Sequence, residues 1–92
     1  MKTEIKQYLK KTSKHLFTNK ENGKYFKVKF DGDSDTFTTI ESNGISPNII
    51  RTHNINSYIE GYGINAKCVI KHSLFLNKKF LSVKRSKNIL MD

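Results

Sequence analysis

The amino-acid sequence predicts a single α+β domain over residues 1–92, with a mostly antiparallel sheet and the element order α-β-β-α-β-β. Three observations support this class. Apolar residues recur at helical spacing in two segments. Other segments alternate apolar and polar residues, which is typical of half-buried strands. Short turn-forming stretches separate these segments, and neither an internal repeat nor a linker rich in Pro, Gly or Ser divides the chain.

The first predicted element is a helix over residues 3–17, which the stretch "NKENG" would end. Its apolar face would comprise Ile5, Tyr8, Leu9 and Leu16, and the opposite face Lys6, Lys10 and Lys14. This row of lysines is typical either of a solvated face or of a face that contacts phosphate, and the sequence favours neither.

A β-hairpin is predicted over residues 24–41. The stretch "KYFKVKF" places Phe26, Val28 and Phe30 on one side and Tyr25, Lys27 and Lys29 on the other. The stretch "DGDSD" has turn composition, and "TFTTIE" is rich in β-forming residues, so the chain is expected to return as a second strand.

A second helix is predicted over residues 47–60. The Ser46-Pro47 pair suits a helix cap followed by a first-turn proline. Apolar and aromatic residues then follow at positions i, i+3, i+4 and i+7, namely Ile55, Tyr58, Ile59 and Tyr62. The Asn, Thr and Ser content of the first half favours an irregular start.

Two closing strands complete the prediction. The stretch "NAKCVIKHSLFL" would turn Cys68, Ile70, Leu74 and Leu76 inward and Lys67, Lys71 and Ser73 outward. The stretch "FLSVKR" would then pair back onto it as the last strand. A helix from Leu74 to Leu90 is the competing interpretation.

Composition and motifs exclude several classes of site. The single cysteine, Cys68, excludes an internal disulfide and a multi-thiolate metal site. Asp31, Asp33 and Asp35 have the spacing that opens a calcium loop, but its sixth and twelfth positions are Thr36 and Ser42 instead of Gly and Glu. We therefore expect no metal and no cofactor.

We expect the protein not to be an enzyme, because no motif of nucleophilic, metal-assisted or phosphate-binding catalysis is present. Cys68 and His72 are expected to form a buried structural pair on one strand. The remaining enzymatic hypothesis is a metal-free, toxin-like ribonuclease. It would use His72 as the base, Arg85 to stabilise phosphate and Tyr58 or Tyr62 to orient the substrate.

Charge is distributed in three blocks, although the net charge of +9 partly reflects the lysine-rich usage of AT-rich coding sequences. Residues 1–20 carry six lysines and one acid, residues 21–60 carry four basic and six acidic groups, and residues 61–91 carry seven basic groups and no acid. Codon usage alone would enrich lysine throughout the chain, so this segregation indicates a basic binding surface.

The main functional prediction is therefore a small basic accessory or regulatory protein that binds nucleic acid. Lysines and an arginine would contact phosphates, and exposed aromatic side chains would stack on bases. The candidate residues are Tyr25, Lys27, Lys29, Lys67, Lys71, Phe75, Lys78, Lys79, Lys84, Arg85 and Lys87. We expect their side chains to share one outer sheet face; alternatively, Phe75 packs under the first helix and the lysines only promote solubility.

The alternative function is a small inhibitor or adaptor of the phage or mobile-element type, which would bind a protein of a nucleic-acid-handling complex. Its contact surface would be either its lysines, at the rim of a nucleic-acid channel, or the acidic turn formed by Asp31, Asp33 and Asp35, in a basic groove. Pairing with a second copy through an open sheet edge is a further expectation. The chain contains neither a signal peptide nor a membrane-spanning run, so we expect a cytoplasmic protein without membrane contact.

Overall fold

A computed structural model of the protein describes residues 1–19, 21–45, 47–78 and 81–85, and describes residues 82–85 by their backbone only. The sheet is formed by β1 (His15–Asn19), β2 (Lys24–Lys29), β3 (Thr36–Ser42), β4 (Ile49–Asn54) and β5 (Ser82–Arg85). The helices are α1 (Lys2–Thr12), α2 (Ile55–Tyr62) and α3 (Ala66–Lys78), with one 3₁₀ turn at Gly63–Asn65.

The five strands lie in the order β4-β3-β2-β1-β5, and every described pairing is antiparallel. The predicted α+β class and antiparallel sheet are confirmed. The predicted hairpin over residues 24–41 is also confirmed, as the pair β2–β3. The predicted order is wrong in detail, because the described elements follow the order α-β-β-β-β-α-α-β.

The core lies between one face of the sheet and the three helices. The sheet contributes Phe17, Phe26, Val28 and Phe37, and the helices contribute Ile5, Leu9, Ile55, Ala66, Ile70 and Leu74. Alternate residues of a strand point to opposite faces, so the second face of the sheet lies away from all three described helices.

The first helix is shorter than predicted. It ends at Thr12, and residues 15–19 form β1 instead of a last helical turn. Leu16 lies seven residues after Leu9, which fits a helical face, but the buried neighbours in this stretch are His15 and Phe17. That alternation has the period of a strand and explains the error.

The prediction of a helix over residues 47–60 merged two elements. Residues 49–54 form the edge strand β4, which pairs with β3. The helix α2 begins only at Ile55, and the side chain of Asn54 caps it by accepting a hydrogen bond from the backbone N–H of Ser57 at 3.1 Å. The helical spacing predicted from Ile55 onward is confirmed.

The strand predicted through Cys68 is wrong, because residues 66–78 form α3. Ile70 and Leu74 are buried as expected, whereas Cys68, His72 and Leu76 are exposed. The expected buried pair of Cys68 and His72 is therefore also wrong. A separation of four residues keeps two side chains on the same face of either a helix or a strand, and this ambiguity misled the sequence interpretation.

The last described strand, β5, pairs with β1 and not with the segment before it. Its backbone partners run from His15↔Arg85 to Thr18↔Ser82. The competing prediction of one helix from Leu74 to Leu90 is also wrong, since α3 ends at Lys78 and β5 follows.

Candidate nucleic-acid interface

The face of the sheet opposite the helices is the candidate interface, and we call it the open face. Strand register places twelve described side chains on it: Leu16, Thr18, Tyr25, Lys27, Lys29, Thr36, Thr38, Ile40, Ser42, Ile50, Thr52 and Asn54. None of these twelve residues is acidic. The open face therefore combines basic, aromatic, aliphatic and hydroxyl-bearing side chains without a carboxylate.

One row of the open face crosses all five strands. Ile50 pairs with Ile40, Ile40 with Lys27, and Lys27 with Leu16. The backbone of Lys84 lies opposite Leu16 and occupies the fifth position. Adjacent strands are about 4.8 Å apart, so this row spans about 19 Å. Ile50 is 64% exposed and Leu16 36%, which leaves apolar surface on either side of Lys27.

Tyr25 and Lys29 lie on either side of Lys27 along β2. The Tyr25 hydroxyl accepts a hydrogen bond of 2.7 Å from Nδ2 of Asn48, which fixes the half-buried side chain at one end of the sheet. Lys29 is exposed and pairs in register with Thr38. The three β2 residues predicted to share an outer face, Tyr25, Lys27 and Lys29, therefore do share it.

The candidate residues on α3 lie on the other side of the sheet. Nζ of Lys67 is 3.8 Å from a carboxylate oxygen of Glu4. Nζ of Lys71 is 5.2 Å from the centre of the Tyr8 ring. Both lysines thus contact α1, and the expectation that they share a face with Lys27 is wrong because their segment is a helix packed on the core.

Two further candidates on α3 have different environments. Nζ of Lys78 lies 4.5 Å from the centre of the Phe17 ring, within a cation–π contact. Phe75 is 57% exposed, so it neither packs under the first helix nor lies on the open face.

The predicted C-terminal candidates are placed only in part. The backbone of Arg85 lies opposite His15, one register position from Lys84. Lys79 and Lys87 lie outside the described residues.

One of the three carboxylates of the acidic turn, that of Asp35, is engaged by α1. Oδ1 of Asp35 lies 3.4 Å from Nζ of Lys2 and 3.5 Å from Nζ of Lys6. The hydrogen bond and the positive charge of Lys2 lower the pKa of Asp35 below its ordinary 3.8. The turn is thus partly neutralised within the molecule, which weakens it as a docking surface for a basic partner.

Asp31 has a local structural role in the same turn. Its Oδ1 accepts hydrogen bonds of 2.9 Å from the backbone N–H groups of Ser34 and Asp33. These bonds lower the pKa of Asp31. Among the described residues, no group of three or more His, Cys, Asp or Glu side chains is arranged to hold a metal ion.

The sequence interpretation missed a polar cluster around His53. Nε2 of His53 lies 2.9 Å from Oγ1 of Thr39, and Nδ1 lies 3.4 Å from the Tyr58 hydroxyl. The His53 ring stacks on Phe37 with 4.7 Å between ring centres. Burial, together with the positive charge of Arg51, lowers the pKa of His53 below its ordinary 6.5. Assigning residue 53 to a helix hid this cluster, whose only sequence signal was a histidine within a β-branched stretch.

The groups of the ribonuclease hypothesis are dispersed. Tyr58 contacts His53 on the edge strand β4, whereas the backbone of Arg85 belongs to β5 at the opposite edge of the sheet. His72 is exposed on α3.

No protein-family model matches the chain, and no curated protein or solved structure gives a significant match. In the part of the chain that the structure describes, every helix is too short or too polar to cross a membrane.

Proposed function

We propose that the protein binds single-stranded nucleic acid through the open face. One observation carries this proposal: Tyr25, Lys27 and Lys29 occupy successive open-face positions of β2, and none of the twelve described open-face residues is acidic. A polyanion meets no carboxylate across this surface, and in the acidic turn the carboxylate of Asp35 is engaged by α1.

The chemistry of the open face fits a nucleic acid whose bases are unpaired. Lysine ammonium groups neutralise phosphates and release the counterions condensed on the strand. Tyr25 offers an aromatic face for stacking, and the apolar surface of Leu16 and Ile50 covers base faces that stacking within a duplex would otherwise hide. A surface that contacts only phosphates would not need exposed apolar side chains. The exposed Leu16 and Ile50 therefore favour single strands over a duplex.

Fluorescence anisotropy with labelled single-stranded RNA, single-stranded DNA and duplex DNA, at two salt concentrations, tests the proposal. The double variant Lys27→Ala/Lys29→Ala should bind the single strands more weakly, and its slope of log affinity against log salt should be shallower by about 1.4. Tyr25→Ala should weaken single-strand binding by about 1–3 kcal/mol.

The matched control is Lys67→Ala/Lys71→Ala, which removes the same two charges from α3 on the other side of the sheet. If both double variants lose affinity equally, the interaction depends on net charge and not on the open face. If the unaltered protein binds none of the three nucleic acids at low salt, the proposal is wrong.

A protein partner is the second candidate, and the edge strand β4 favours it. Ile49 is 49% exposed and Ile50 is 64% exposed on this edge, where backbone groups are free to pair with an added strand. In this function the protein would act as an inhibitor or adaptor of a nucleic-acid-handling complex. If this function is right, the unaltered protein should capture one such complex and an Ile50→Lys variant should not. The protein itself should then bind none of the nucleic acids.

A further inference from the structure

A second site is suggested by a cavity of about 470 Å³ on the helix side of the sheet, at the end where β2 begins and β3 ends. Its floor includes Phe26, Glu41 and Ile49, which are neighbours in one row of strand register. The further lining residues are Lys24, Tyr25, Ser42, Asn43, Pro47, Asn77 and Leu81. The cavity is large enough for a nucleotide-sized ligand.

Glu41 gives this cavity its chemical character. Its side chain is half-buried between Phe26 and Ile49, and no described residue forms an ion pair or hydrogen bond with its carboxylate. A carboxylate beside apolar groups gains most from a ligand that brings N–H donors. Asp35 and Asp31, by contrast, already have such donors within the acidic turn.

The positive charge around the cavity favours neutral ligands over cationic ones among those that carry N–H donors. Lys24 lines the same cavity, and the whole chain carries a net charge of +9, so a simple cation is disfavoured there. A neutral ring with two adjacent N–H donors satisfies Glu41 without adding positive charge, and an anionic group on the same ligand satisfies Lys24. A guanine base presents these two donors on its pairing edge, and its phosphate supplies the negative charge.

We propose that this cavity binds a guanine nucleotide. Glu41 accepts hydrogen bonds from the two N–H donors of the base, Phe26 and Ile49 provide apolar contact, and Lys24 attracts the phosphate. Asn77 donates its Nδ2 to the backbone carbonyl of Ser73 at 3.0 Å, which leaves its Oδ1 as a further acceptor at the rim. This site opens on the helix side of the sheet and shares the lining residues Tyr25 and Ser42 with the open face, but it does not depend on the function proposed for that face.

Isothermal titration calorimetry of the full chain with GMP, IMP, AMP, UMP and guanosine tests the site. GMP should bind tightest, IMP more weakly because it lacks the exocyclic amino group, and AMP and UMP on the order of tenfold more weakly than GMP. Guanosine should also bind more weakly than GMP, because it lacks the phosphate. Equal binding of GMP, AMP and UMP, or no binding of GMP at millimolar concentration, would overturn the proposal.

Three variants assign the roles. Glu41→Gln should reduce GMP affinity on the order of tenfold and leave AMP affinity unchanged. Glu60→Gln removes the same charge from an exposed position on α2 and should leave both affinities unchanged. Lys24→Ala should weaken GMP but not guanosine. Equal GMP affinities of Glu41→Gln and Glu60→Gln would contradict the site. The open-face variant Lys27→Ala/Lys29→Ala should bind GMP as tightly as the unaltered protein, whether or not the open face binds nucleic acid.

Discussion

Oγ1 of Thr39 lies 2.9 Å from Nε2 of His53, and this contact links the buried side of β3 to the otherwise exposed edge strand β4. The opposite ring nitrogen faces the Tyr58 hydroxyl of α2 at 3.4 Å. The imidazole therefore connects two strands and a helix through one half-buried ring. Protonating such a ring costs the folded state more than the unfolded chain, because burial disfavours the charged form.

The stability of the fold should consequently fall in mild acid. The pKa of His53 is lowered in the folded protein, so between about pH 7.5 and about pH 5.5 the unfolded chain binds more protons than the folded one. The contribution of the neutral ring is complete above the ordinary pKa of 6.5, and it is lost progressively as the pH falls from there to the lowered pKa of His53 in the folded protein. Urea unfolding at about pH 7.5 and at about pH 5.5 should show that the unaltered protein loses more free energy of unfolding between these values than His53→Gln does. Equal losses would contradict this role of His53.

The assignment of residues 66–78 to a helix predicts different costs at two apolar positions. Ile70→Ala should lower the free energy of unfolding by about 2–5 kcal/mol, because Ile70 is 1% exposed within the core. Leu76→Ala should cost about 1 kcal/mol or less, because Leu76 is 48% exposed. Urea denaturation of both variants measures this difference. Comparable large losses at both positions would instead fit the strand that the sequence alone predicted.

The sequence predicted the fold correctly where the spacing of apolar residues fits either a helix or a strand, but not both. Phe26 and Val28 alternate with lysines, so β2 was identified with its faces. Ile70 and Leu74 lie four residues apart, which suits both a helix and a strand, and α3 was misassigned. β4 is exposed at nearly every position, so its sequence lacks the apolar–polar alternation that identifies a strand. The Ser46-Pro47 pair resembles a helix start, and this signal outweighed the strand preference of the β-branched residues in β4.

The candidate site was predictable only where it lies on one strand. Tyr25, Lys27 and Lys29 belong to β2, and local alternation sufficed to group them. Leu16 and Ile50 join the same face through strand pairings that no local pattern specifies. The cavity around Glu41 likewise depends on α3 ending beside the sheet, which is a tertiary feature.

Two glycines should respond in opposite directions to alanine. Gly44 has a φ of +84°, and a Cβ added there would collide with the backbone carbonyl oxygen of Asn22, so Gly44→Ala should destabilise the fold by about 1–3 kcal/mol. Gly61 lies within α2, and a Cβ added there would meet open space, so Gly61→Ala should stabilise the fold by about 0.5–1 kcal/mol. Thermal unfolding followed by circular dichroism measures both effects. A stabilising Gly44→Ala would contradict the turn geometry described for residue 44.

The contact of α1 with the acidic turn should depend on salt. Asp35→Asn removes the partner of Lys2 and Lys6, so it should lower the unfolding midpoint at low ionic strength. Because the pair is exposed, this difference should shrink at about 1 M salt, where charges are screened within about 3 Å. The control is Asp33→Asn, since no described residue forms a hydrogen bond or ion pair with the Asp33 carboxylate, and Lys6 donates only to the backbone carbonyl of Asp33. If both variants change the midpoint equally, the turn acts through its total charge, and its acidic groups remain available to a basic partner.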